Sequence, residues 1–435
     1  MALAGADSGT LHTEVSKVTK TGKEKNLPEV KEIAATATQG NAEARALRQQ
    51  ANQAARDARK QARIAERQAR KASRDDATSE VAPPPIAPPP IASTVAIASR
   101  GMAEPTGNSR NFNILIVAQK GRLAAEAALF AASLRLNAPD WQGRLIVAEP
   151  REEGAWQGVA TTLDPHSRAL LGRFGAEVTP FSAQYFGRSY PYGNKIEALS
   201  LLPAGQPFVF FDTDTLVTGP LDRVAFDFDR PSASMRRSAS WPLPPLYGPG
   251  YTAIWKSLYD RFGLNFASSL DLNQPDEHWE RYLYFNAGWF FGADPQDFGR
   301  RFLELALAVR ADPGEALACQ SLDPWLDQVV LPLVIHSLGG GRPGPELDDL
   351  DGSVTCHYRN LSLLYAREAE PVLDLLEHLM RDQGIAAMFA ADEGAQRLVG
   401  GGEGRSVVRP MFAGAANLQE QPIRQKLKRA GLWFR

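Results

Sequence analysis

The sequence predicts an α/β domain, a mixed Rossmann-like sheet flanked by helices, preceded by a non-globular N-terminal arm. Two observations carry this reading. From Asn113 onward short apolar runs alternate with segments of helical spacing, and no Phe, Tyr or Trp occurs before Phe112. The chain has 435 residues, 44% of them hydrophobic, with a formal net charge of −2. That composition excludes a wholly disordered or collagen-like chain and suffices for a sizeable core. The first 105 residues hold 16 Lys+Arg against 12 Asp+Glu and no aromatic side chain. Such a segment cannot bury enough apolar surface to offset its ordering entropy. The expected division is an arm over residues 1–110 and one domain over residues 111–435.

Within the arm, Asn41 to Ser73 is rich in Ala, Arg and Gln without Gly or Pro, so propensity favours helix. Ala51, Ala55, Ala58, Ala62, Ala65, Ala69 and Ala72 make a thin heptad seam. It suits a solvated helix, a close-packed coil with a second copy or partner, or a basic contact to nucleic acid, with the bland reading favoured. Val81 to Ser93 carries Pro83-Pro84-Pro85 and Pro88-Pro89-Pro90, expected to form an extended spacer.

The domain opens with Asn113 to Gln119 as a buried strand, Leu123 to Leu136 as a helix and Arg144 to Glu149 as a second strand, a βαβ unit of a parallel sheet. His166 to Phe174 reads as helix, Ala176 to Val178 as a short strand, Lys195 to Leu202 as a short helix and Phe208 to Phe211 as a buried strand. Alternation then breaks into Pro, Gly, Trp and Tyr around Ser232 to Tyr259. Tyr284 to Gly292 reads as a strand, Asp323 to Ile335 as a helix interrupted at Pro332, and Ser353 to Cys356 as a strand. Two cysteines fit a reducing compartment, and the sequence has neither a convincing signal peptide nor an apolar run of about 18 residues. The expected location is cytoplasmic. The basic, amphipathic tail from Arg424 to Phe434 would either dock on the domain or touch the inner face of a membrane.

The most informative segment is Phe208-Val-Phe-Phe-Asp212-Thr-Asp214-Thr-Leu-Val217. It places two carboxylates at the carboxyl edge of a parallel sheet, where open α/β folds bind ligands. Two such oxygen donors suit a hard divalent cation, Mg²⁺ or Mn²⁺, whose shell a nucleotide diphosphate would complete. This segment resembles the haloacid dehalogenase-like phosphatases, which would make Asp212 a nucleophile. There the motif sits on the first strand, whereas here a βαβ unit precedes it.

A wider resemblance takes in Asn194-Lys195, Asp212-Thr-Asp214, Asn286-Ala-Gly288, Asp327-Gln328 and His357-Tyr358. Together these residues resemble glycosyltransferases of the GT-A fold, and among them the retaining, family-8-like enzymes. The resemblance implies that Asp212, Asp214 and His357 hold Mn²⁺ or Mg²⁺ against the diphosphate of a nucleotide sugar, UDP-linked by preference. It implies nucleotide contacts at Ala118, Gln119 and Lys120, phosphate contacts from Lys195 and Arg359, and sugar-facing roles for Asp327, Gln328 and Asn286. Arg359 stands in for the Lys-Pro-Trp that such families place after the histidine. The acceptor, whether glycan, lipid or protein, is not specified. Retention would use Gln328 near the anomeric carbon, whereas inversion would need a carboxylate base such as Asp327. Trp241, Tyr247, Tyr251 and Trp255 are either an acceptor platform or a loop packed on its own rings. A non-catalytic module, with the arm recruiting partners, is the remaining alternative.

Overall fold

The computed structural model describes residues 111–236, 241–414 and 419–434. The expectations for residues 1–110, helix, seam and proline spacer alike, lie outside the described residues. The chain runs through β1 (Asn113–Val117), α1 (Arg122–Asn137), β2 (Leu145–Pro150), α2 (Pro165–Arg173), β3 (Ala176–Phe181), α3 (Asn194–Glu197), β4 (Phe208–Phe211) and β5 (Thr215–Val217). There follow α4 (Tyr251–Arg261), β6 (Trp289–Gly292), α5 (Pro295–Ala311), α6 (Leu326–Ser337), β7 (Thr355–His357), α7 (Leu361–Arg367), α8 (Glu370–Leu379), α9 (Gln383–Met388) and α10 (Glu420–Arg429).

The main sheet has the order β3-β2-β1-β4-β6. β1 pairs in parallel with both β2 and β4, β2 in parallel with β3, and β6 joins antiparallel to β4. The expected mixed sheet is present, and the carboxyl ends of β1, β2 and β4 share one edge. Alternation divides the core. Ile114, Ile116, Val209 and Phe211 pack on one face with Leu129 and Phe130 of α1, while Leu115, Phe208 and Phe210 pack on the other with Phe290, Phe298 and Phe302. Strands buried on both faces read as unbroken apolar runs, which is why β1 and β4 are visible in the sequence.

Three expectations change in detail. The strand expected over Tyr284 to Gly292 is regular only over Trp289–Gly292; Ala287, with φ of 62°, leaves the extended conformation just before it. The helix expected to break at Pro332 runs unbroken from Leu326 to Ser337. Val329 to Ile335 are all buried among other apolar groups, and packing outweighs the donor that proline removes. The late strand lies one to two residues further on, Thr355–His357, and pairs antiparallel with β5 in a second small sheet. At the C-terminus, α10 buries Ile423 and Leu427 in the domain core and Leu432 follows them, so its apolar side faces the protein. No helix among the described residues is long and apolar enough to cross a membrane.

Candidate active site

Asp212 and Asp214 lie in the bend between β4 and β5, at the carboxyl edge of the sheet. The backbone fixes this bend from two sides. The Asp212 amide donates to the Gly288 carbonyl at 2.9 Å, and the Tyr358 amide donates to the Asp214 carbonyl at 2.9 Å. The β5–β7 ladder sets Thr215 opposite His357 and so carries the imidazole to the aspartates. His357 Nε2 lies 3.1 Å from Asp214 Oδ1 and 4.0 Å from Asp212 Oδ2. One ligand atom from each of Asp212, Asp214 and His357 falls within 4.8 Å of the others. Two carboxylates and a buried imidazole so grouped fit a divalent cation that accepts mixed oxygen and nitrogen donors. Burial alone would raise the Asp214 pKa, but His357 and Arg122 outweigh it and hold the group at about 2.

Gly288 makes the histidine's position available. A Cβ on this residue would lie 2.3 Å from His357 Nδ1 and 2.9 Å from Asn286 Oδ1. Asn286 is itself committed: its Nδ2 donates to the Arg236 carbonyl at 2.5 Å. The left-handed Ala287 turns its carbonyl to Lys195 Nζ at 3.1 Å.

Lys195 joins the two acidic parts of the site. Its buried ammonium lies 2.8 Å from Asp212 Oδ1 and 3.3 Å from Asp327 Oδ2, above the Phe210 ring. Burial disfavours this charge, yet the two aspartates overcome it and the pKa stands above the usual lysine value. Asp327, 1% exposed, accepts the Tyr190 hydroxyl at 2.6 Å. Burial raises its pKa against the opposing pull of Lys195. The next residue on α6, Gln328, accepts the Tyr284 hydroxyl through Oε1 at 2.7 Å.

A cleft of about 440 Å³ opens beside these groups, lined by Gln119, Lys120, Tyr192, Lys195, Asp212 and Asp214 among others. Ala118, just past the end of β1, is fully buried, Lys120 is exposed, and the Gln119 Oε1 atom is buried without a hydrogen-bond partner among the described residues. Arg359 does not line this cleft. Its Nη1 donates to Glu420 at 3.0 Å and its Nη2 to the Arg236 carbonyl at 3.0 Å. The aromatic residues of the irregular segment mostly pack on one another: Trp241 and Trp255 meet edge to face at 5.2 Å, and Tyr251 stacks on Tyr282. Tyr247 alone of that set stands exposed, at 97%.

Sequence reasoning misses Tyr190, Tyr192, Arg122 and Glu126. Glu126 is buried on α1, accepts from Arg122 at 2.5 Å and from the Thr213 hydroxyl at 3.3 Å, and its pKa is pushed up to about 8 by burial and then by Asp214. A lone glutamate inside Ala124-Ala125-Glu126-Ala127-Ala128 is the signal that could have found it. Tyr190 and Tyr192, in a short Gly/Pro-containing turn, carry no such pattern.

A Rossmann-like mixed sheet with paired aspartates and a histidine at its ligand-binding edge is compatible with a nucleotide-sugar-dependent transferase. Residues 114–339 match the Rhodobacterales glycosyltransferase domain, and the chain belongs to that family. No curated protein matches the chain. Among solved structures, it is similar to the galactosyltransferase LgtC in complex with donor and acceptor sugar analogs, at 15% identity over 62% of this chain and 95% of that one, with a TM-score of 0.38. It is also similar to the bifunctional glycosyltransferase WbbM, at 13% identity over 67% of this chain and 53% of that one, TM-score 0.38. The glycosyltransferase GlyE of Streptococcus pneumoniae TIGR4 is 10% identical over 75% of this chain and 65% of that one, TM-score 0.31. Membership of a glycosyltransferase family replaces the phosphatase and binding-module alternatives.

Proposed function

We propose that this glycosyltransferase moves a sugar from a UDP-linked donor to its acceptor with retention of anomeric configuration, using Mn²⁺ or Mg²⁺ held by Asp212, Asp214 and His357. The observation that carries the reading is the convergence of these three residues, from β4–β5 and β7, beside a cleft at the sheet edge. A bound divalent cation would supply charge neutralisation for the leaving diphosphate. The chain's own residues do the rest. Gln119 and Lys120 meet the nucleotide, with the orphaned Gln119 carbonyl available to a base N–H, and Ala118 brings the backbone to that edge. Lys195 holds Asp212 in place and keeps a positive charge at the rear of the donor pocket. Gln328 faces the sugar, Asp327 anchors Lys195 from behind, and Asn286 orders the turn that positions Gly288 against His357.

Retention is favoured over inversion by the state of Asp327. A general base must be free to take a proton from the acceptor hydroxyl, yet Asp327 is 1% exposed, accepts from Tyr190 through Oδ1 and faces Lys195 through Oδ2. It is engaged instead in holding Lys195 and Tyr190. Residue roles, metal and donor are tested together by incubating the protein with a panel of UDP-sugars and Mn²⁺ and following donor turnover by proton NMR. Turnover of one UDP-sugar, with the initial product an α-anomer from an α-linked donor and loss in Asp212→Asn, is expected. Turnover unaffected by chelation, or an inverted initial product, would overturn the metal or the stereochemical part.

A further inference from the structure

The large apolar side chains most exposed among the described residues are Leu243, Leu246, Tyr247 and Leu272, and the first three share one loop. They are 73, 87 and 97% exposed. A leucine standing alone at a surface is ordinary, whereas a cluster of this kind marks a surface that meets something apolar.

The loop presents these side chains from a fixed backbone. Gln320 clamps Leu243 from both sides, accepting its amide through Oε1 at 2.8 Å and donating from Nε2 to its carbonyl at 3.0 Å. Trp241, buried against Trp255, donates its indole N–H to the Ser321 carbonyl at 2.9 Å. The Gly248 amide closes a turn on the Pro245 carbonyl at 3.2 Å, with Leu246 and Tyr247 at its tip. A Cβ on Gly248 would lie 2.3 Å from Pro245 Cγ, so the turn as it stands takes only glycine there.

The chemistry of the tip selects what covers it. No Asp, Glu, Lys or Arg occurs from Trp241 to Trp255, so burying the tip desolvates no charge of its own. Pro242, Pro244, Pro245 and Pro249 have no amide N–H, and the amides of Leu243 and Gly248 are paired. Little but the Leu246 and Tyr247 amides is left to be stripped of water, which suits entry into an apolar medium. The three side chains offer on the order of 400–500 Å², and a stable protein interface takes about 800 Å² from each partner. A second copy or a protein partner would therefore need more surface than the tip supplies. A glycan would need several polar side chains, of which the tip has one, the Tyr247 hydroxyl. A bilayer interface sets no minimum area, and it takes up leucine as well as tyrosine, whose ring sits at the level of the headgroups.

We infer that Leu243, Leu246 and Tyr247 insert into the interfacial layer of a lipid bilayer. The anchor is tied to the candidate site. From Gln320 and Ser321, which hold the loop, the chain runs on into α6 with Asp327 and Gln328, and Tyr284 bridges Trp255, 6.1 Å away, to Gln328 at 2.7 Å. An enzyme held this way meets an acceptor carried on a lipid. Only that last step rests on the proposed sugar transfer, and the attachment stands without it.

The test sediments the full chain with phosphatidylcholine vesicles at physiological ionic strength, where zwitterionic lipid and salt suppress contacts of the basic arm and tail. Saturable co-sedimentation is expected, weakened about tenfold or more when Leu246→Ser and Tyr247→Ser are combined. It should be retained when Leu246→Phe and Tyr247→Trp are combined, and unchanged in Leu136→Ser, an exposed leucine at the end of α1. Thermal melts check that each variant is folded. Absence of co-sedimentation of the wild-type chain, or equal binding by the serine variant, overturns the anchor. Self-association that the serine variant abolishes, without vesicle binding, also overturns it and assigns the tip to a second copy. Calorimetric titration of UDP with Mn²⁺ separates the two readings. Equal UDP binding by the wild-type chain and the serine variant upholds an anchor distinct from the donor site, and loss of UDP binding in the variant alone overturns it. Failure of the wild-type chain to bind UDP while it still binds vesicles would sink the transfer reading and leave the anchor standing.

Discussion

Lys195→Met keeps the length of the side chain and removes its charge from the centre of the site. In the native protein the ammonium serves Asp212 at 2.8 Å, the Ala287 carbonyl at 3.1 Å and Asp327 at 3.3 Å. The consequences for the two aspartates differ. The Asp212 side chain is 29% exposed and recovers water, whereas that of Asp327 is 2% exposed and retains only the Tyr190 hydroxyl. Leaving one member of a buried pair uncompensated costs about 3–5 kcal/mol, and Asp327 bears most of it. Its pKa already stands above 3.8 through burial, and loss of Lys195 raises it further. A carboxyl whose folded pKa exceeds its unfolded value loses stability as pH rises from the unfolded toward the folded value. The destabilisation by Lys195→Met is therefore smaller at pH 5 than at pH 8. Urea unfolding followed by tryptophan fluorescence at both values measures this, and Asp327→Asn in the Lys195→Met background should recover about 2 kcal/mol or more. Additivity of the two substitutions within about 0.5 kcal/mol would show that Lys195 and Asp327 are not coupled.

Further outcomes follow from the same geometry. Gly288→Ala would put a methyl 2.3 Å from His357 Nδ1, so the ring must move by about 1 Å to reach ordinary contact; Mn²⁺ affinity should fall about tenfold or more, read by electron paramagnetic resonance of free Mn²⁺. His336, hydrogen-bonded to the Tyr259 hydroxyl at 2.8 Å, has its pKa lowered by burial, then by Arg342, to about 4. Its contribution is complete above about pH 6.5 and lost as pH falls toward 4, and His336→Gln should flatten that part of the profile of melting temperature against pH. Asp294 caps α5 by accepting from the Gln296 amide at 2.8 Å, so Asp294→Ala should cost about 1 kcal/mol in urea unfolding without altering metal binding.

The parts of the fold that announce themselves are those whose burial is symmetric. β1, β2 and β4 are apolar on both faces, and α1 follows a glycine turn, so each stands out from its neighbours. β5 and β7 are three residues each, and their pairing joins positions more than a hundred residues apart, which no local pattern encodes. Asp212 and Asp214 are conspicuous because carboxylates end an apolar strand. The groups that support them are less visible, since Tyr192 and Arg122 are ordinary residues until the fold brings them to the cleft, and Tyr190 until it meets Asp327. Arg359 illustrates the limit of reading by position. It sits in the expected segment, but Glu420 and the Arg236 carbonyl take up its nitrogens and hold it away from the donor cleft.

The proposed activity turns on a metal-dependent nucleotide site at Asp212, Asp214 and His357. Calorimetric titration of UDP into the full chain with and without Mn²⁺, repeated on Asp214→Ala, tests it most directly. Saturable binding that requires Mn²⁺ and disappears in the variant, while its melting profile stays cooperative, is the expected result. UDP affinity indifferent to Mn²⁺, or fully retained in Asp214→Ala, would contradict it.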